Sequence, residues 1–535
     1  MIKKIISFLC FVLCLVSCRD KVSKHDLSEV FRYNEKDNIT SLDPAFAKNE
    51  PNVWATNQLF NGLVVFDDSL NAKPCIAKSW SISNENKTYE FVLRDDVYFH
   101  KNIAFGKDST RIVTAHDFEY SFNRILDPKV ASSGRWVMQN VKSFKAVNDS
   151  VFRINLQTAF PPFLGLLSMQ YCSVVPKEAV EYYGSEFRSN PVGTGPFYFK
   201  LWVENTKLVF RKNPLYFERD EKGNQLPYLE AVAVTFYADK QTEFLQFIQG
   251  NSDVLYDLHT SYKDELLSPT GSLLPKYKNK LSLDKTPYLI TEYIAFFMEG
   301  ETVDNNVLIR KAINVGFDRA KMLRYLRNNI GNPATGFVPK GLPAHHQESV
   351  NLYQPEKAKA YIEQYKKETG DLHPSIKIAT NSSYTDLFEF IQRELQGIGL
   401  NIELEILPSP ILRQLKANGK LPTFRVGWIA DYPDAENFLS LFYSKNFAPQ
   451  GPNYSHYKNP VFDELYEQSL GITDRNERVK IYKKMDSIVM EEVPVVSLFY
   501  DEIIRFKHEN VKGLTTNPTN LLNLKKVYKT KSNGR

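Results

Sequence analysis

Apolar positions along the chain follow two repeats, one of two residues and one of about 3.6. Tyr89 to Leu93 alternates, as does Lys207 to Phe210, and each predicts a strand. Asn401 to Leu407 alternates through Ile402, Leu404 and Ile406. Tyr228 to Phe236 and Ile376 to Thr380 predict further strands. Asp117 to Leu126 has helical spacing, with Thr114 placed to cap it. Apolar residues at 309, 312, 313, 316, 317, 320, 323 and 326, counting Gly316, predict a single helix from Ile309 to Leu326. Val53 to Val65 predicts another, with Gly62 able to supply a left-handed cap. Phe244 to Asp253 predicts a helix ending at Gly250, and Asp386 to Ile398 one more. Strand, helix and strand over 376–407 make an α/β unit. No short internal repeat is evident.

The most informative stretch is Phe424 to Leu439, F-R-V-G-W-I-A-D-Y-P-D-A-E-N-F-L. Phe424 to Ala430 is apolar and short enough for a buried strand. Tyr432-Pro433-Asp434 then predicts a turn. Arg425, Trp428 and Asp431 recur every three residues and offer a cation, a flat aromatic and an anion. A charge at each end of an apolar strand is costly to bury unless something pairs with it. An extended peptide could do so, since its amino terminus wants a carboxylate and its carboxyl terminus a guanidinium. An internal ion pair or a solvent-facing turn would account for the same residues. Trp428 also fits simple core. Asp434 and Glu436 read as a solvated turn and a helix N-terminus, where negative charge is favourable.

The first residues say where the chain goes. Lys3-Lys4, an apolar run from Ile5 to Val16 and Ser17-Cys18 form a secretory leader too short to span a bilayer. Leu15-Val16-Ser17-Cys18 resembles a bacterial lipobox, which implies cleavage before Cys18 and lipidation of that residue. Arg19 to Asp26 is polar and reads as a tether. The formal charge of +5 falls to about +3 without Lys3 and Lys4, and no basic block points to nucleic acid. Cys10 and Cys14 leave with the leader. Cys75 and Cys172 could pair outside the cytoplasm, but their apolar surroundings favour two buried thiols.

Leu42-Asp43-Pro44-Ala45-Phe46, followed by Leu59-Phe60-Asn61-Gly62-Leu63-Val64, carries a resemblance to the opening of the family 5 solute-binding proteins, the extracytoplasmic peptide-binding components of ABC importers. It continues through Gly193-Thr194-Gly195-Pro196-Phe197, Lys212-Asn213-Pro214-Leu215-Tyr216 and Arg310 to Arg319. Asn453-Tyr454-Ser455 and Val493-Pro494-Val495 complete it, so that it covers nearly all of the mature chain in order. The glycine-dense turn at 193–195 is not a phosphate loop, because no lysine follows at the required spacing. The resemblance implies an α/β, two-lobed, periplasmic-binding-protein-like fold of the large peptide-binding class. With the leader taken as a signal peptide at 1–17 and the tether as 18–26, the resemblance implies lobe I from 27–70, 189–285 and 505–535. An inserted subdomain takes 71–188, and lobe II takes 286–504.

The resemblance also assigns the site. Asp431 matches the carboxylate that holds a ligand ammonium. Arg425 matches a basic residue that meets ligand carboxylates in some members, and Trp428 matches the aromatic between them. Lys416 falls where a second basic residue often sits, in surroundings that align poorly. The expected partners are short peptides, ABC permease subunits and the membrane through its lipid anchor, with the protein itself a monomer and no cofactor. Within the same fold the ligand could instead be a nickel chelate or an oligosaccharide. A lipid-anchored hydrolase is the reading from another class, but H-E-x-x-H and G-x-S-x-G are both missing. Calcium is not indicated, since Asp431, Asp434 and Glu436 lack the EF-hand pattern. His345-His346 sits in a Pro/Gly loop and reads as a surface pair rather than metal ligands.

Overall fold

The computed structural model describes residues 29–256, 259, 262–300, 302–346 and 353–530. The leader, Cys18 and the tether lie outside the described residues. Among the described residues no helix is long and apolar enough to cross a membrane.

Three larger sheets, beside two two-stranded ones, organise the described residues. The first runs in the order Val30–Glu35, Ala231–Phe236, Lys207–Lys212, Phe197–Val203, with its first pair parallel. Its core gathers Phe31, Tyr33, Trp54 and Leu59 and takes back Val511, Leu514, Leu522 and Leu524 from the far end of the chain. Trp54 Nε1 donates to the Asn520 carbonyl at 2.7 Å, and Asn57 donates to that of Leu522 at 2.7 Å.

The second sheet is antiparallel, in the order Ala77–Ser83, Thr88–Leu93, Val151–Leu156, Val141–Asn148. Its middle strands alternate buried and half-buried positions, as period-2 patterning requires. The helix Ala115–Leu126 lays Phe118, Phe122 and Ile125 into the core on that sheet. Thr114 begins the helix in a capping box, its N–H donating to Asp117 at 2.8 Å.

The third sheet has seven strands. Six follow the order Val254–Tyr256, Val495–His508, Leu281–Phe296, Thr423–Ile429, Ser375–Thr380, Asn401–Ile406, and Asn332–Pro333 pairs with Val495–His508. Helices cover both faces. Val307–Val315, Pro355–Thr369 and Thr385–Gln396 pack on one, while Phe438, Tyr482, Met485 and Val489 pack on the other. The two long central strands slip register between Pro287 and Thr291.

Two predicted helices are cut differently. The stripe over 309–326 is two helices, Val307–Val315 and Arg319–Arg327. Asp318 breaks it by capping the second, accepting the Lys321 N–H at 2.9 Å. The prediction over 53–65 is a helix from Glu50 to Leu59 followed by a strand, Val64–Phe66. Gly62 is not left-handed; a side chain there would press on the Leu167 carbonyl at 3.3 Å. The Leu59 carbonyl is instead taken by the Gly195 N–H at 2.9 Å. Cys75 and Cys172 are both buried free thiols.

Candidate functional site

Thr423–Ile429 is the expected strand, edged by the sheet core on both sides. Phe424 and Val426 point into the core on one face, and Arg425 and Gly427 occupy the other. The strand delivers Asp431 into a cavity of about 660 Å³. Trp54, Asn57 and Gln58 line it from the helix Glu50–Leu59, and Trp136, Gln170 and Tyr171 from beside the second sheet. All three sheet bodies therefore meet at this space.

Asp431 is exposed by area, but that area opens onto the cavity, and protein surrounds the carboxyl group. Burial therefore raises its pKa above the ordinary carboxylate range, opposed by the Asn437 amide at 3.4 Å. No cation pairs with it among the described residues. Asn437 also sets the backbone: its Oδ1 accepts the Asp431 N–H at 3.1 Å and Trp428 Nε1–H at 2.9 Å. Trp428 is half-buried against the core and is absent from the cavity lining.

Arg425 and Lys416 are also absent from that lining. The Arg425 guanidinium is ion-paired to Glu292, whose side chain is only 2% exposed. Tyr384 covers it, ring centroid 3.5 Å away, and donates its hydroxyl to Glu292 at 3.1 Å. Glu292 stands over Gly427, where a Cβ would lie 2.6 Å from its Oε1, so glycine makes room for the carboxylate. Lys416 lies over the Tyr454 ring at 4.4 Å. Burial, with repulsion from Arg425 and Arg413, lowers its ammonium to about 8.

The turn after Asp431 departs from expectation. Glu436 is buried rather than solvated, with Tyr432 and Tyr466 each donating a hydroxyl to its carboxylate. Burial pushes it up to about 7 against those two bonds. Asp434 is half-buried, 3.7 Å from Arg478, and is raised chiefly by burial. The two histidines also face inward. His345 Nδ1 lies 3.0 Å from the Val338 carbonyl, and His346 lies 3.3 Å from the buried Asp486. Among the described residues no group of three or more His, Cys, Asp or Glu is placed to hold a metal.

Sequence reasoning missed Glu292 and Asn437. The signal for Glu292 was present: it is the one charge in the apolar run Tyr288 to Phe297. A lone carboxylate inside such a strand needs a buried cation.

Residues 71–450 match the sequence profile of the bacterial extracellular solute-binding proteins, family 5 Middle. The periplasmic oligopeptide-binding protein OppA of Salmonella typhimurium is 26% identical over 539 residues, covering 92% of this chain and 91% of OppA. The glutathione-binding protein GsiB of Escherichia coli K12 is 23% identical over 488 residues, covering 90% of this chain and 91% of GsiB. The periplasmic binding protein DppA of Helicobacter pylori, solved with the peptide STSA, has a TM-score of 0.77 at 26% identity. That match covers 94% of this chain and 98% of DppA. HbpA2 of Haemophilus parasuis shares the fold at a TM-score of 0.81 and 22% identity, covering 94% of this chain and all of HbpA2 (100%). The architecture is thus the α/β, two-lobed one of these binding proteins. With the profile spanning most of its length, the chain belongs to the family 5 bacterial extracellular solute-binding proteins, which bind solutes and are not enzymes.

Proposed function

We propose that this protein captures short peptides beside Asp431 and delivers them to the permease of an ABC importer. One observation carries the reading: a carboxylate with no cationic partner among the described residues opens onto a cavity of about 660 Å³. A ligand ammonium supplies the missing charge, through a short charge-assisted bond shielded from water. The names of OppA and the peptide held by DppA support a peptide ligand. Backbone contacts along an extended peptide would account for tolerance of side-chain identity.

In this reading residues 27–70, 189–285 and 505–535 act as one lobe, with 71–188 inserted, and 286–504 as the other. The return of Leu522 and Leu524 to the core of Phe31 and Trp54 supports that division. Arg425 and Lys416 serve the ligand's carboxyl end, where Arg425 is shared with Glu292. Trp428, between Arg425 and Asp431 in sequence, is the ligand-binding aromatic of this reading. Lipid on Cys18 holds the monomeric protein at the envelope, outside the cytoplasm.

Mass spectrometry of what copurifies with the protein tests the ligand class. Mixed short peptides are expected; a single sugar or metal chelate would overturn the peptide reading. Calorimetry tests the site: Asp431→Ala weakens free-amine peptides sharply and changes binding of their N-acetylated forms little. Equal loss for both would contradict the ammonium role.

A further inference from the structure

Tyr432 follows Asp431 directly, yet its ring does not join the core of the third sheet. It is 7% exposed and sits in the core built on the second sheet, with Tyr89, Phe163, Leu166 and Tyr171. Every other buried residue of that core comes from positions 63–174. The ring meets Phe160 edge to face at 6.1 Å. The backbone of Gly165 closes on it so tightly that a Cβ there would lie 2.9 Å from Tyr432 Cβ. At its other end the Tyr432 hydroxyl is tied back to its own turn through Glu436, which Tyr466 holds from the opposite oxygen. Glu436 is itself set in that turn, its N–H donating to Asp434 at 2.9 Å.

We propose that Tyr432 is a positioning residue that couples seating of ligand at Asp431 to docking of the second-sheet body against the third. One peptide bond separates the residue that meets the ligand from the residue that plugs the neighbouring core. Displacing the ring must therefore move the carboxylate, and the converse holds as well. Glu436 and Tyr466 keep the ring aimed, so the plug enters as a preset knob rather than a free side chain. Gly165 is part of the device, because any side chain there occupies the ring's seat. The ligand half of this inference rests on the peptide reading above; the docking half does not.

Three variants separate the possibilities: Tyr432→Ala removes the ring, Tyr432→Phe keeps it and loses only the Glu436 bond, and Gly165→Val fills the seat from the other side. Small-angle scattering without ligand reads docking alone. Tyr432→Ala and Gly165→Val should both raise the radius of gyration, while Tyr432→Phe should match the parent. Calorimetry and stopped-flow with trialanine read the coupling. The two opening variants should bind about tenfold or more weakly, mainly through faster release, since losses of preset contacts fall on the off-rate. Tyr432→Phe should restore most of the affinity. Parent-like scattering and parent-like trialanine release in both opening variants would overturn the proposal. So would weaker binding in Tyr432→Ala with an unchanged radius, which is what local damage to Asp431 alone predicts. If the parent fails to bind trialanine and every other peptide, the peptide reading fails, and scattering still decides the docking half.

Discussion

Glu292→Gln isolates what the buried ion pair on the third sheet contributes. The substitution keeps the volume and the acceptor for the Tyr384 hydroxyl but removes the charge that faces Arg425. The two side chains are 2% and 14% exposed, so water does little to replace the lost partner. Leaving one member of such a pair uncompensated costs about 3–5 kcal/mol. The Tyr384 ring lies against the guanidinium and retains roughly 1–2 kcal/mol of cation–π attraction. Since that attraction is present in the parent as well, it cancels, and the net expectation stays a destabilisation of about 3–5 kcal/mol. Urea unfolding followed by tryptophan fluorescence reads it, as a lower midpoint with an unchanged slope. The double variant Glu292→Met with Arg425→Met should recover most of the loss, because an apolar pair of similar volume avoids the desolvation of both charges. Glu292→Gln alone leaves Arg425 without its partner, so in that variant peptides with a free carboxyl end should gain affinity over their amidated forms. A Glu292→Gln protein within about 0.5 kcal/mol of the parent, with no gain for free-carboxyl peptides, would refute the reasoning.

Further expectations follow from neighbouring groups. Asn437→Ala strands the Asp431 N–H and the Trp428 indole N–H together, and should cost about 2 kcal/mol in urea unfolding while weakening peptide binding. His100 is buried, with Nδ1 accepting the Gly193 N–H at 3.2 Å and Nε2 donating to the Gly195 carbonyl at 3.0 Å. Burial lowers its pKa to about 4 from an ordinary 6.5, so the unfolded chain holds more protons between these values. Stability should fall by up to about 3 kcal/mol as pH drops from 6.5 to 4, and His100→Gln should flatten that slope in thermal melts. Glu436 has the opposite sign: raised from 4.5 to about 7, it holds its proton longer in the folded state. Its contribution is full below 4.5 and lost as pH rises through 7, by about 3 kcal/mol. Glu436→Gln should remove that loss, and a parent-like pH profile in the variant would count against it.

Local patterning made much of the frame readable. The capping box at Thr114, the strand-helix-strand over 376–407 and the strand before Asp431 all depend on neighbours within a few residues. What stayed hidden depends on distant partners. Glu292 reaches Arg425 across 133 positions, and only the antiparallel register brings them onto one face. Glu436 looked like a helix-start acid because nothing nearby shows that Tyr466, 30 residues on, encloses it. The split at Asp318 was missed because Gly316 and Phe317 preserve the apolar stripe through the break. Capping by Asp318 competes with that stripe and wins. His345 and His346 were misplaced outward because a Pro/Gly loop carries no sign of the buried Asp486 beneath it.

The long strands Leu281–Phe296 and Val495–His508 each run through three separate apolar clusters. Leu281, Ile504 and Phe506 belong to one, Leu289 and Val495 to a second, Phe296 and Leu498 to a third. Melting one end therefore frays the backbone on which the other end is built. The body built on the third sheet should accordingly unfold in one calorimetric endotherm, and no cut through either strand should leave that body holding its shape.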